Sequence, residues 1–352
     1  MKQGTTLNTL AATLLRQAQV KRDYLVDTRA LRFEAGAGGE SKLTLMAEET
    51  EAFLVNDFTH RQIADRLGIP ARYYDRMREE NPDLLGTNVN AWFAAKPEKR
   101  LIRTLDGEAR AFLSDRYRRM DNAEVAEAVL PIISELPEAE VISCELTQTK
   151  MYIKVVNRRL QLDVRPGDTV QAGFVLSNSE VGAGSVRVEP LVFRLVCSNG
   201  LIVADYGQKR YHVGRAMEAE ESQAIYRDET LAADDAAFLM KVQDTVRLAV
   251  DQAKFAHLVN RLRDAAGEPL SGNPVSAVEL LANRHALTQD ESGGVLRHLV
   301  TGGDFSRYGL LNAVTRTSQE VADYDRATEL ERLGGKIMTL DTQEWRELSV
   351  AA

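Results

Sequence analysis

Between Lys150 and Arg210 the chain sets cationic and aromatic residues at intervals that suit a polyanion. Lys150, Tyr152 and Lys154 recur at every second position, which places all three on one face of a strand. Arg158 and Arg159 follow after Val155, Val156 and Asn157. Arg187 and Arg194 interrupt apolar runs, where an arginine is unfavourable unless it is paired, exposed at an edge or open to an anion. A structural Arg194 would need a carboxylate such as Glu145 or Glu189. Lys209, Arg210 and Tyr211 sit inside YGQKRYHVGR, residues 206–215, a mixture of cations for a phosphate backbone and rings for stacked bases. Short segments of this kind also serve as interdomain clasps, and charges on an exposed strand face are ordinarily just solvated.

A second group lies between two alternating apolar runs. Ser177, Asn178, Ser179, Gly182, Gly184 and Ser185 supply amides, hydroxyls and backbone freedom at a turn, which is how a chain presents several donors to one ligand. The same residues are the usual material of a plain hairpin loop. Gly182 to Ser185 lacks the lysine and following helix of a phosphate-binding P-loop.

Other chemistry finds little support. Cys144 and Cys197 show no C-x-x-C spacing and no companion histidines, so a zinc site or disulfide framework is not expected. His60, His212, His257, His285 and His298 are scattered, and nucleotide, esterase and metalloprotease motifs are missing. No cofactor or metal is expected, and no reaction is named.

The elements that must hold these residues are legible from periodicity. Residues 5–22 read as an amphipathic helix, and residues 23–47 as a hairpin about Gly36 to Gly39. His60 to Arg78 fit a helix-turn-helix spacing with Gly68 at the bend; Arg72, Asp75, Arg76 and Arg78 would then face outward, and plain packing is the competing reading. A hairpin turning at Asp106-Gly107 follows, then a helix capped at Asp121 or Asn122. Strands are expected at 141–147, 150–156, 160–164, from 169, and around 191–197. From 222 to 263 the apolar repeat becomes helical and wide, suiting core or a subunit interface. A further helix near 310–324 carries Asn312, Thr315 and Arg316 as polar residues on an apolar element.

Three stretches carry a family resemblance: FVLSNSEVGAGSVRVEPLVFRLVCSNG ending at Gly200, FLSDRYRRMDNAEV from Phe112 to Val125, and YGLLNAVTRTSQEVADYDRATELERLGG from Tyr308 to Gly335. They resemble the phage/plasmid-like proteins of domain-of-unknown-function family nine-three-two. The resemblance implies a mobile-element setting and phage DNA metabolism. A fainter likeness to the single-strand annealing proteins of the Rad fifty-two superfamily rests on element order alone and carries over no residue.

The chain has 352 residues and a net charge of −8. Residues 142–215 nevertheless hold ten Lys and Arg against six Asp and Glu, while the acidity gathers after residue 216. No stretch suits a signal peptide or a membrane span, so the cytoplasm is expected. The expected fold class is α+β: a mostly helical N-terminal domain (1–98), a central antiparallel meander with a packed helix (99–215) and an acidic helical C-terminal domain (216–352). The expected function is non-enzymatic binding and annealing of single-stranded DNA in phage recombination. The expected assembly is a homo-oligomer, with a phage exonuclease or single-strand binding protein as further partner. The alternatives are a small-ligand or nucleotide-binding enzyme or sensor using the Ser177–Ser185 loop, and a host-interaction protein.

Overall fold

Two sheets, each backed by helices, carry the chain in a computed structural model that describes residues 1–36, 40–46, 50–203, 209–210 and 228–351. In chain order the first part comprises α1 (Leu7–Val20), β1 (Arg22–Asp27), β2 (Leu31–Ala35), β3 (Ser41–Met46), β4 (Thr50–Val55), α2 (Asp57–Leu67), α3 (Ala71–Glu80), α4 (Pro82–Ala95), β5 (Lys99–Leu105) and β6 (Glu108–Ser114). Its strands form one sheet in the order β1-β5-β6-β4-β3-β2. The hairpin expected over 23–47 is present as β2 and β3, with Leu31 opposite Leu45 and Phe33 opposite Leu43. The segment expected to be mostly helical thus also supplies four strands. The expected boundary near residue 98 falls inside a sheet, because β5 pairs with β1 and β6 with β4.

Apolar alternation explains this sheet's core: Phe33, Leu43, Ile102 and Phe112 point one way, against Ile63, Tyr74, Leu85, Val89 and Phe93 of the helices. Gly68 ends α2 in a left-handed conformation (φ 67°), as the helix-turn-helix spacing requires. On the outer side of α3, Arg76 binds Glu80 at 2.8 Å and Arg78 binds Asp57 at 2.8 Å. Three arginines are matched there by Asp75, Glu79 and Glu80, so α3 offers no net positive face to a duplex.

The second part comprises α5 (Asn122–Glu135), β7 (Ala139–Leu146), β8 (Met151–Arg165), β9 (Asp168–Asn178), β10 (Val186–Arg194), β11 (Asn199–Ile202) and β12 (Lys209–Arg210). These strands form an antiparallel sheet in the order β11-β10-β9-β8-β7, with β12 also on β10. The two strands expected at 150–156 and 160–164 are one. A register shift separates Asn157 from Gln161, and the Asn157 side-chain oxygen accepts the Arg159 and Leu160 N–H groups at 3.0 and 3.1 Å, so the irregularity leaves neither donor unpaired.

The helices α6 (Asp228–Ala249), α7 (Gln252–Gly267), α8 (Pro274–His285), α9 (Gln289–Gly302), α10 (Arg307–Thr317), α11 (Tyr324–Thr339) and α12 (Thr342–Ser349) complete the described chain. Phe238, Val242 and Val246 of α6 pack with α5 on β8 to β10, while Phe255, Leu258, Val259 and Leu262 of α7 join a second core with α10 and α11. Among the described residues, the wide apolar stripe expected over 231–262 therefore serves mainly this chain's own interior, with Met240 and Leu248 left exposed. The helix α11 crosses the opposite face of the sheet. Gly335 makes this possible, since a Cβ there would lie 1.9 Å from the Ile202 carbonyl oxygen. No helix of the described residues is long and apolar enough to cross a membrane.

Candidate nucleic-acid interface

Strand register decides which of the sequence-read cations meet. Glu145, Tyr152, Ser177, Arg187 and Lys209 are successive cross-strand partners from β7 to β12, and Ser143, Lys154, Val175 and Glu189 form the next row. The period of two thus placed Lys150, Tyr152 and Lys154 on one face, and the meander brought Arg187 alongside. What sequence periodicity could not show is that α11 covers most of that face.

Under α11, Lys154 and Glu331 are both fully buried, with Nζ 2.6 Å from Oε2. Glu189 receives Arg332 at 2.6 Å, and the Tyr324 ring lies 5.4 Å from that of Tyr152. Burial lowers the Lys154 pKa, opposed by the Glu331 carboxylate. Lys154 therefore has no surface on which to meet a phosphate, and Tyr152, also at 0% exposure, has none for a base. Both belong to a polar layer that docks the helix. The N-terminal end of α11 is tied down by Asp325, whose Oδ2 accepts the hydroxyls of Thr147 at 3.0 Å and Thr149 at 2.6 Å.

Arg194 is likewise withdrawn, though not by Glu145 or Glu189. Its guanidinium forks onto Asp168, Nε to Oδ1 at 2.6 Å and Nη2 to Oδ2 at 2.8 Å, and lies over the Tyr308 ring. The partner is the first residue of β9, whose start pairs with the far end of β10. Arg158 and Arg159 are exposed, and Arg158 pairs with Glu140. They lie eight and nine residues along the chain from Lys150, which immediately precedes β8, roughly 26 Å or more at strand rise.

Lys150 and Arg187 remain together. Both are half-buried at the end of the face beyond Asp325, and among the described residues neither has a carboxylate partner; Arg187 Nε donates to Ser185 Oγ at 3.1 Å. Two strand spacings and one side-chain repeat separate their Cα atoms by roughly 12 Å. Lys209 stands opposite Arg187 and Arg210 opposite Val186 on β12. Tyr211 lies outside the described residues, as does most of the expected 206–215 segment.

The Ser177–Ser185 loop does not present its donors outward. Ser177, Asn178, Ser179 and Ser185 are buried, Gly184 is half-buried, and Gly182 alone among the six is exposed. The Ser179 hydroxyl oxygen accepts the N–H groups of Val181 and Ala183 at 3.3 and 2.9 Å. Gln62 Nε2 donates to the Val181 carbonyl at 2.7 Å, and Arg103 Nη1 to that of Glu180 at 2.9 Å. The Glu180 carboxylate binds Arg110 and accepts the Asn122 N–H at 2.6 Å, and Asn178 donates to Asn122 Oδ1 at 2.8 Å. The loop is the joint between the two sheets: its polar groups are used on the first sheet and on the start of α5. Beside it, Lys150 forms part of a polar cleft of about 300 Å³ whose lining also includes Arg110 and Thr149 and the carboxylates of Asp106, Glu108 and Glu180, of which Asp106 pairs with Arg16 and Glu180 with Arg110. The buried acids of this joint and of α11 were missed from sequence; a lone Glu within a helical repeat carries no mark of the cation it will meet.

The family model described as Domain of unknown function (DUF932) matches residues 111–334, from within β6 to within α11. No curated protein and no solved structure matches the chain.

Proposed function

The chain belongs to the family Domain of unknown function (DUF932), whose description names no activity, and from that premise we propose that it binds single-stranded DNA at the open end of its second sheet. The observation that carries this reading is a pair of half-buried cations, Lys150 and Arg187, that have no carboxylate partner among the described residues, at the end of β10 where the backbone of β12 pairs. A cation held partly out of water and left without an acid is well placed for a phosphate oxygen. A narrow cationic patch in a chain of net charge −8 suits a flexible single strand better than a duplex, whose closely spaced phosphates reward a broad basic surface. In this reading the protein works in the cytoplasm in recombination of a phage or other mobile element, pairs complementary strands without chemistry and does so as a homo-oligomer. An element-encoded exonuclease or single-strand binding protein is its partner.

The test is fluorescence anisotropy of a labelled oligonucleotide at several salt concentrations, with Lys150→Ala, Arg187→Ala and the double variant. Each lost phosphate contact should lower the salt slope by about 0.7. Circular dichroism melts should stay unchanged, because among the described residues neither side chain holds an ion pair. A slope untouched in the double variant would remove the interface.

A further inference from the structure

At the other end of β10 the hairpin into β11 meets α9 and α10 around an open cleft of about 540 Å³. Arg194, Cys197, Asn199, His298, Asn312 and Arg316 contribute its polar lining and the exposed Val196 its apolar side, while Leu299 and Ala313 lie buried beneath it. Most of the charge is already balanced. Arg194 is held by Asp168, and its Nη1 donates to Cys197 Sγ at 3.2 Å. Asp304 at the rim receives Arg165 at 2.9 Å, and His298 faces Glu320 at 2.9 Å. Arg316 is different. Its Nη1 donates to the Cys197 carbonyl at 3.0 Å and to Gln319 Oε1 at 2.7 Å, both neutral, and among the described residues it has no carboxylate. These bonds fix an exposed guanidinium at the cleft with its charge uncompensated and its other N–H groups available. The cleft also joins two stretches far apart in the chain, RLVCSN from β10 into β11 and YGLLNAVTR along α10, both inside the region matched by the family.

We propose that this cleft binds an organic anion of nucleotide size, its phosphate or carboxylate forked onto Arg316 and its body against the exposed Val196 side chain. The volume lies within the range of roughly 300–1,000 Å³ usual for small-ligand sites, where a few placed polar groups orient a largely apolar body. A planar fork of donors matches either anion. The site is separate from Lys150 and Arg187, so neither proposal depends on the other.

Cys197 supplies a reporter. It lines the cleft half-buried, whereas Cys144 is fully buried and its thiol is pushed up to about 11 by burial, so Cys144 stays silent in the folded protein. The full chain would be alkylated with iodoacetamide, and Cys197 modification followed by mass spectrometry, alone and with nucleoside monophosphates, citrate or inorganic phosphate. At about ten times the dissociation constant a bound anion should slow labelling about tenfold, because only the free fraction reacts. Protection by the nucleotides alone assigns a phosphoester, protection by citrate alone a carboxylate, and protection by inorganic phosphate as well places the anion itself on Arg316. Arg316→Gln should abolish protection. Thr301→Glu, which sets a negative charge at an exposed rim position, should weaken it with the melting temperature unchanged and decides the matter if Arg316→Gln fails to fold. The proposal is overturned if no anion in the panel slows labelling, or if protection survives Thr301→Glu undiminished.

Discussion

Replacing Lys154 with methionine should destabilise the protein strongly and leave any oligonucleotide affinity intact. Lys154 and Glu331 are both at 0% exposure, and Glu331 Oε1 already lacks a hydrogen-bond partner. Methionine would fill the space of the lysine stem but strand the carboxylate in the interior, a change worth about 3–5 kcal/mol for a broken buried pair. The paired change Lys154→Met with Glu331→Leu removes both charges and should recover most of that loss, since apolar replacement of a whole buried pair is often neutral or stabilising. Urea denaturation followed by circular dichroism measures this. With a slope of about 2.5 kcal/mol per molar, the single variant should lose roughly 1–2 M in midpoint and the double variant much less. Anisotropy titrations on the folded single variant should match the wild type. A single variant within about 1 kcal/mol of wild type, or one that binds DNA more weakly at full stability, would refute the assignment of Lys154 to the docking of α11.

Arg194→Ala should lower stability by about 2 kcal/mol, because Asp168 would lose a forked partner and keep only the Tyr308 hydroxyl at 2.9 Å; thermal melts would read this, with DNA binding unaffected. His60 gives a pH signature. Its ring is buried, Nδ1 lies 2.8 Å from the Tyr74 hydroxyl, and burial, with a smaller contribution from Arg78, lowers its pKa from 6.5 to about 4. Between those values the unfolded chain takes up a proton that the folded one does not. Stability from this group is therefore full above pH 6.5 and falls as pH drops towards 4, by up to about 3 kcal/mol. Urea midpoints across that window should show the decline, and His60→Gln should flatten it; an equally steep decline in the variant would contradict the assignment.

Local pattern made much of this architecture legible. The Asp106-Gly107 hairpin, the helix cap at Asp121, the bend at Gly68 and the meander of β7 to β10 each follow from turn chemistry or periodicity within a few residues. The failures are long-range. That β5 and β6 would complete a sheet with β1 to β4 depends on a parallel pairing of Leu54 and Val55 with Glu108 and Ala109, which no local signal marks. The alternation correctly aligned Lys150, Tyr152 and Lys154. It could not reveal that Glu331, 177 residues further on, would cover Lys154 and leave Lys150 in the open. The same blindness applies to Ser177–Ser185, whose turn-forming residues suit a ligand loop and a buried joint equally well.

Binding of single-stranded DNA at the open end of the second sheet is tested most directly by the salt dependence of oligonucleotide affinity in wild type and in the Lys150→Ala, Arg187→Ala double variant. The expected result is measurable binding that weakens with salt, and a slope reduced by about 1.4 in the double variant at unchanged melting temperature. Equal slopes and affinities for the two proteins, or no binding by the wild type at low salt, would contradict it.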